Sequence, residues 1–143
     1  MTARTFALII GIAFAAAGVL GFVPALLFPP PGDAPAVSVT PFYGYLLGLF
    51  PVNVLHSIVH LAIGALGIAA WRGMEGTAVT YARALAVVYA VLTVMGLIPG
   101  LKTVFGLIPI HGHDVWLHAA TAAIAAYFGF RTSTSAPGRP TPG

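Results

Sequence analysis

Four apolar runs, separated by polar or proline-rich breaks, set the pattern along the chain. They cover about Phe6 to Phe28, Asn53 to Trp71, Val79 to Ile98 and Asp114 to Phe130. Each is close to the roughly 17–25 residues with which a helix crosses the hydrocarbon core of a bilayer. Helices are predicted because isolated strands leave backbone groups unsatisfied in lipid, and the runs far exceed the alternating segments of a membrane barrel. Between the first two runs, Pro29-Pro30-Pro31-Gly32-Asp33 and Pro35 exclude helix, since proline lacks the donor and crowds the preceding turn. Phe42 to Phe50 is apolar but too short to span. It reads as an interfacial or re-entrant piece with Tyr43 and Tyr45 at the headgroup level, and residues 101–108 as a shorter counterpart. The last stretch, Arg131 to Gly143, is rich in Ser, Thr, Pro and Gly and is expected to be disordered.

The runs are related in pairs. Gly48-Leu49-Phe50-Pro51 precedes Asn53, His56 and His60, and Gly106-Leu107-Ile108-Pro109 precedes His111, Asp114 and His118. At one constant offset Pro51 aligns with Pro109, His56 with Asp114 and His60 with His118. Runs one and three match as well. Gly21-Phe22-Val23-Pro24 parallels Gly96-Leu97-Ile98-Pro99, and Phe14 parallels Tyr89. That match argues for a retained first helix, although Arg4 and Ala15-Ala16-Ala17 also resemble a cleaved leader. The expected fold is all-α: a four-helix transmembrane bundle from two tandem hairpins, in one domain over residues 1–130. Each hairpin crosses twice, so the halves share an orientation and are related by a pseudo-two-fold axis along the membrane normal.

Composition agrees with a bilayer as the surrounding solvent. Of 143 residues, 59% are hydrophobic and only 6% charged, against about a quarter charged in soluble domains. Arg4, Arg72, Arg83, Arg131 and Arg139 fall on one predicted side, and Lys102 falls on the other with Asp33 and Asp114. Both termini are therefore expected in the cytoplasm, with the loops at 29–52 and 99–113 outside. The formal charge of +3 rests on six scattered Lys and Arg, which excludes a nucleic-acid face. The expected partner is the lipid bilayer, with a second copy of the chain or another membrane protein as further candidates. The chain holds no cysteine, so disulfide and thiolate chemistry are excluded.

The candidate chemistry lies in the ionisable residues of these runs, which are expensive in lipid. Residues four apart share a helix face, so His56 pairs with His60 and Asp114 with His118. If the equivalent faces point inward, three imidazoles and one carboxylate converge in the outer half. Asn53 is placed to cap the second helix, and Asp114 is an alternative cap for the fourth. Several readings follow. His56, His60, Asp114 and His118 suit a zinc, copper or iron ion. His60 and His118 suit axial ligation of haem, with Gly64, Ala119 and Ala122 making room. The polar groups also suit a proton relay or small-solute passage. In a non-catalytic module the same residues are interhelical hydrogen bonds, each worth about 1 kcal/mol or less. No nucleophile, general base or second carboxylate stands out, so hydrolysis has little support. His111 and His113 read as solvated loop histidines, and Glu75 with Arg72 and Arg83 as a solvated charge mix. Gly11, Gly18, Gly21, Gly64 and Gly67 point to close helix packing rather than to a dimer face. Trp71 and Trp116 read as interfacial anchors.

The run Leu49-Phe50-Pro51-Val52-Asn53-Val54-Leu55-His56-Ser57-Ile58-Val59-His60-Leu61, with the later Gly112, Asp114 and Trp116-Leu117-His118, resembles small bacterial membrane proteins of domain-of-unknown-function family 4383. The resemblance covers nearly the whole chain up to the tail. It implies a four-helix membrane protein and draws attention to Asn53, His56, His60, Asp114 and His118. The family pattern carries Asn where this chain has His111 and His113. No activity comes with the resemblance.

Overall fold

A computed structural model describes residues 1–131; the disorder expected for the tail falls on residues 132–143, outside the described residues. The chain is mostly helical. Four helices, α1 (Ala3–Leu20), α2 (Val54–Arg72), α3 (Glu75–Leu97) and α4 (His113–Phe130), are joined by a small sheet and short turns. α1, α2 and α3 are long and apolar enough to cross a membrane, consistent with a membrane protein. α4 matches α1 in length, 18 residues, but is less apolar because it carries His113, Asp114 and His118.

Local sequence explains the helix ends. The Thr2 hydroxyl accepts from the Thr5 amide at 3.2 Å and starts α1. α1 ends at Leu20, earlier than the apolar run, because Pro24 forces Val23 into extended backbone and opens a single 3-10 turn, Pro24–Leu26. α3 likewise gives way to an extended Ile98 before Pro99. α2 and α3 are separated by Gly73 and Met74 alone, so they run antiparallel.

The stretch expected to be interfacial or re-entrant forms part of a three-stranded antiparallel sheet. β1 (Leu27–Phe28) pairs with β2 (Gly44–Leu46), which pairs with β3 (Phe50–Val52). Leu47 and Gly48 both adopt positive φ, 55° and 73°, and turn β2 back onto β3. The sheet leads straight into α2. Its shorter counterpart is a 3-10 turn, Pro99–Leu101, followed by turns that lead into α4.

Packing within the α1–α2 pair is backbone against backbone. A side chain at Gly64 would lie 2.6 Å from the Ala15 amide nitrogen, and one at Gly11 would lie 2.9 Å from that of Ile68. Gly18 and Gly67 are equally close to the facing helix, so these glycines serve helix packing, as their frequency predicts. Phe6 and Phe14 of α1, Ala82, Leu85, Ala86 and Tyr89 of α3, and Ala125 and Phe128 of α4 form the core. Phe6 stacks on Phe128 at 4.8 Å.

Hydrogen bonds gather the basic residues at the end opposite the sheet. Arg4 Nε donates to the Trp71 carbonyl at 3.0 Å, and Arg83 Nε donates to the Gly129 carbonyl at 2.7 Å. Glu75 is not merely solvated. Its Oε1 accepts the Ala3 amide at 3.0 Å, placing a carboxylate at the positive end of α1.

Candidate functional site

The sheet end of the helices holds the predicted polar cluster, and the segments leading into α2 and α4 begin alike. Buried Pro51 precedes α2 and buried Pro109 precedes α4. Asn53 caps α2 as expected: its Oδ1 accepts the His56 amide at 3.0 Å. Its Nδ2 donates to two loop carbonyls, Val39 at 2.9 Å and Leu107 at 2.7 Å. Asp114 does not cap α4. That position belongs to Gly112, at φ 66°, where a side chain other than glycine is strained. Asp114 is thereby free to turn inward from the first turn of the helix.

His56, Asp114 and His118 converge. All three are buried, at 3%, 1% and 2% exposure, and one ligand atom from each lies within 4.8 Å of the other two. His118 Nε2 is 3.4 Å from Asp114 Oδ2, and His56 Nε2 is 4.0 Å from the same oxygen. Two ligands bound tetrahedrally at about 2.1 Å are roughly 3.4 Å apart, so the His118–Asp114 edge already has metal-site dimensions. His56 Nδ1 lies 3.1 Å from the Pro51 carbonyl. A ring nitrogen facing a carbonyl must donate, so in the neutral imidazole Nε2 is a lone pair facing Asp114.

This leaves the carboxylate poorly served. Among the described residues Asp114 Oδ2 and His118 Nδ1 have no hydrogen-bond partner. A buried anion facing an imidazole lone pair calls for a cation or a proton between them. The donor set, two imidazole nitrogens and one carboxylate oxygen, is the borderline set that zinc, copper and iron accept.

His60 is not part of the convergent trio. Its ring packs 4.4 Å from that of His56 and 5.2 Å from Phe14. Tyr89, 2% exposed, turns its ring edge-on to His118 at 4.9 Å and lies 5.3 Å from Phe14. Reasoning from sequence does not single out Tyr89 as a site residue. Its alignment with Phe14 is the available signal, since each aromatic covers the histidine of its own half.

His111 differs from the solvated loop residue expected. It is 6% exposed, its ring is 6.0 Å from that of Tyr45, and among the described residues its Nε2 has no partner. Burial lowers its pKa, the Lys102 ammonium lowers it further, and Asp33 opposes both. His113 is exposed, as expected.

No curated protein and no solved structure matches the chain. One family model does match, over residues 4–131, a span that takes in the four described helices save the first residue of α1, and the whole polar cluster. The chain therefore belongs to the family described as Domain of unknown function (DUF4383).

Proposed function

We propose that this chain is a multi-pass membrane protein that binds one transition-metal ion between α2 and α4, through His56, Asp114 and His118. The observation that carries the reading is Asp114 Oδ2: buried, without a partner among the described residues, and flanked by two imidazole nitrogens at 3.4 and 4.0 Å. The Pro51 carbonyl fits the reading, since metal-bound histidines commonly donate their second nitrogen to such a group. Three protein ligands leave a fourth position open. An ion is favoured over haem because the cavity beside His60, about 130 Å³, is close to the roughly 150 Å³ that takes one benzene ring and far too small for a porphyrin.

The same reading makes the chain a single four-helix bundle of two tandem hairpins about a pseudo-two-fold axis. Support comes from contacts between sequence-equivalent residues, Phe14 with Tyr89 and His56 with Asp114. The arginines at the end opposite the sheet support a reading with both termini in the cytoplasm and the metal site in the outer half. A fluorescent-protein fusion at either terminus is then bright, and an alkaline phosphatase fusion there is inactive.

Purification in detergent, followed by elemental analysis and a cobalt(II) titration read by visible absorption, tests the metal. The expected result is about one ion per chain, lost in His56→Ala and His118→Ala. Absence of both bound metal and cobalt bands overturns the reading and leaves the cluster as interhelical hydrogen bonds. A Soret band lost in His60→Ala transfers the site to haem.

A further inference from the structure

Between α1 and α4 lies a cavity of about 130 Å³. Ala13, Phe14 and Ala17 of α1 and Leu117 of α4 wall it, and His60 and Thr121 are its polar lining. Ala13 is exposed midway along α1, so the cavity opens sideways onto the apolar flank of the helices rather than at an end. His60 and Thr121 are themselves 8% and 7% exposed.

Among the described residues neither makes a side-chain hydrogen bond, whereas other histidine and threonine side chains do. His56 binds the Pro51 carbonyl. Thr80 and Thr93 return their hydroxyls to the carbonyl four residues back, at 2.9 and 2.7 Å. An apolar pocket with a few convergent polar groups is the usual form of a small-molecule site. An apolar cavity of roughly 150 Å³ takes one benzene ring; this one is a little smaller, about 130 Å³, but open on one side, so it takes at most a single unfused ring.

We propose that the cavity binds a membrane-dissolved molecule whose head is one six-membered ring bearing an oxygen, a phenol or a monocyclic quinone. The ring lies between Phe14 and Leu117, and the oxygen meets His60 and Thr121. An imidazole and a hydroxyl each donate or accept, so they serve a carbonyl oxygen and a phenolic hydroxyl alike. A lipid acyl chain fills the same space but leaves both polar groups unpaired. The site does not depend on the proposed metal, because its walls and both polar groups lie outside the trio formed by His56, Asp114 and His118.

The test uses the full chain in lipid nanodiscs, untreated and stripped of metal. 4-Fluorophenol is titrated and read by fluorine NMR against protein-free nanodiscs. Saturable binding is expected in both preparations. Ala17→Phe, which fills the cavity, removes it. Thr121→Val weakens it severalfold, His60→Leu weakens it about tenfold or more, and His60→Gln retains most of it. Circular dichroism confirms that each variant is folded. Should a His60 variant fail to fold, the Ala17 and Thr121 variants decide. Uptake no different from protein-free discs overturns the proposal. So does binding unchanged in both Ala17→Phe and Thr121→Val. So does a co-purified phospholipid, seen by native mass spectrometry and lost in Ala17→Phe, which makes the occupant an acyl chain. Binding that persists after the metal is stripped separates this site from the metal reading.

Discussion

The segments leading into α2 and α4 start from matching sequence and end differently. Ahead of α2 the carboxamide of Asn53 is fully used, with one helix amide on its oxygen and two loop carbonyls on its nitrogen. Ahead of α4 Gly112 brings no side chain to the cap, and among the described residues Asp114 Oδ2, His118 Nδ1 and His111 Nε2 are without partners. The first lead-in is nearly complete: on that side Ser57 Oγ alone among the described residues is buried without a partner. The second holds buried polar atoms that the fold does not satisfy, and such atoms are where a ligand is to be sought.

The largest effect should come from damage to the more complete side. Asn53→Ala removes the cap and strands two loop carbonyls. Caps contribute about 1 kcal/mol and stranded buried groups cost roughly 1–3 kcal/mol each, so about 3 kcal/mol or more should be lost in thermal unfolding in detergent. Asp114→Asn makes the opposite kind of change. It should abolish metal retention in elemental analysis yet leave metal-free stability within about 1 kcal/mol, because a buried carboxyl is exchanged for a neutral amide of nearly the same shape. Equal destabilisation by the two substitutions erases the contrast. Gly112→Ala, at φ 66° and ψ −133°, should cost about 1–3 kcal/mol in the same unfolding measurement. An alanine tolerated there without loss means the start of α4 does not need glycine's conformation.

The smallest effect concerns pH at His111. Its pKa is lowered in the folded state, chiefly by burial and then by Lys102. The folded chain therefore favours the neutral ring, while the unfolded chain takes up a proton below the ordinary value near 6.5. Stability from this group is complete above that value and declines as the pH falls below it. Limited proteolysis of the 102–110 loop should accelerate on acidification, and His111→Gln should flatten the response. A loop equally resistant at pH 5 and pH 8 removes His111 from the unsatisfied set.

Much of this was legible in the sequence because it depends on spacing and composition. The long apolar runs gave the four helices, the i,i+4 pairs gave the faces, and Asn53 gave its cap. Glycine frequency gave the close α1–α2 contact. The sheet was not legible. Its strands are two or three residues long and one contains Pro51, so neither alternation nor β-propensity has room to register. Hydrophobicity alone carried the first helix through to Phe28, past the break that Pro24 imposes. The separation of His60 from the trio depends on where rings point, which the four-residue spacing does not encode. The surroundings of His111 include the Tyr45 ring and the charges of Lys102 and Asp33, each on another segment or across a turn.

The amide nitrogen of Asn53 holds Val39 and Leu107 at once, and the Ser38 amide adds a bond to the Gly106 carbonyl at 2.8 Å. The two long connections are thus knotted at one side chain. Neither can lift away without dragging the other and fraying the start of α2. Hydrogen–deuterium exchange should find both connections opening as one cooperative unit, with Asn53 as its clasp.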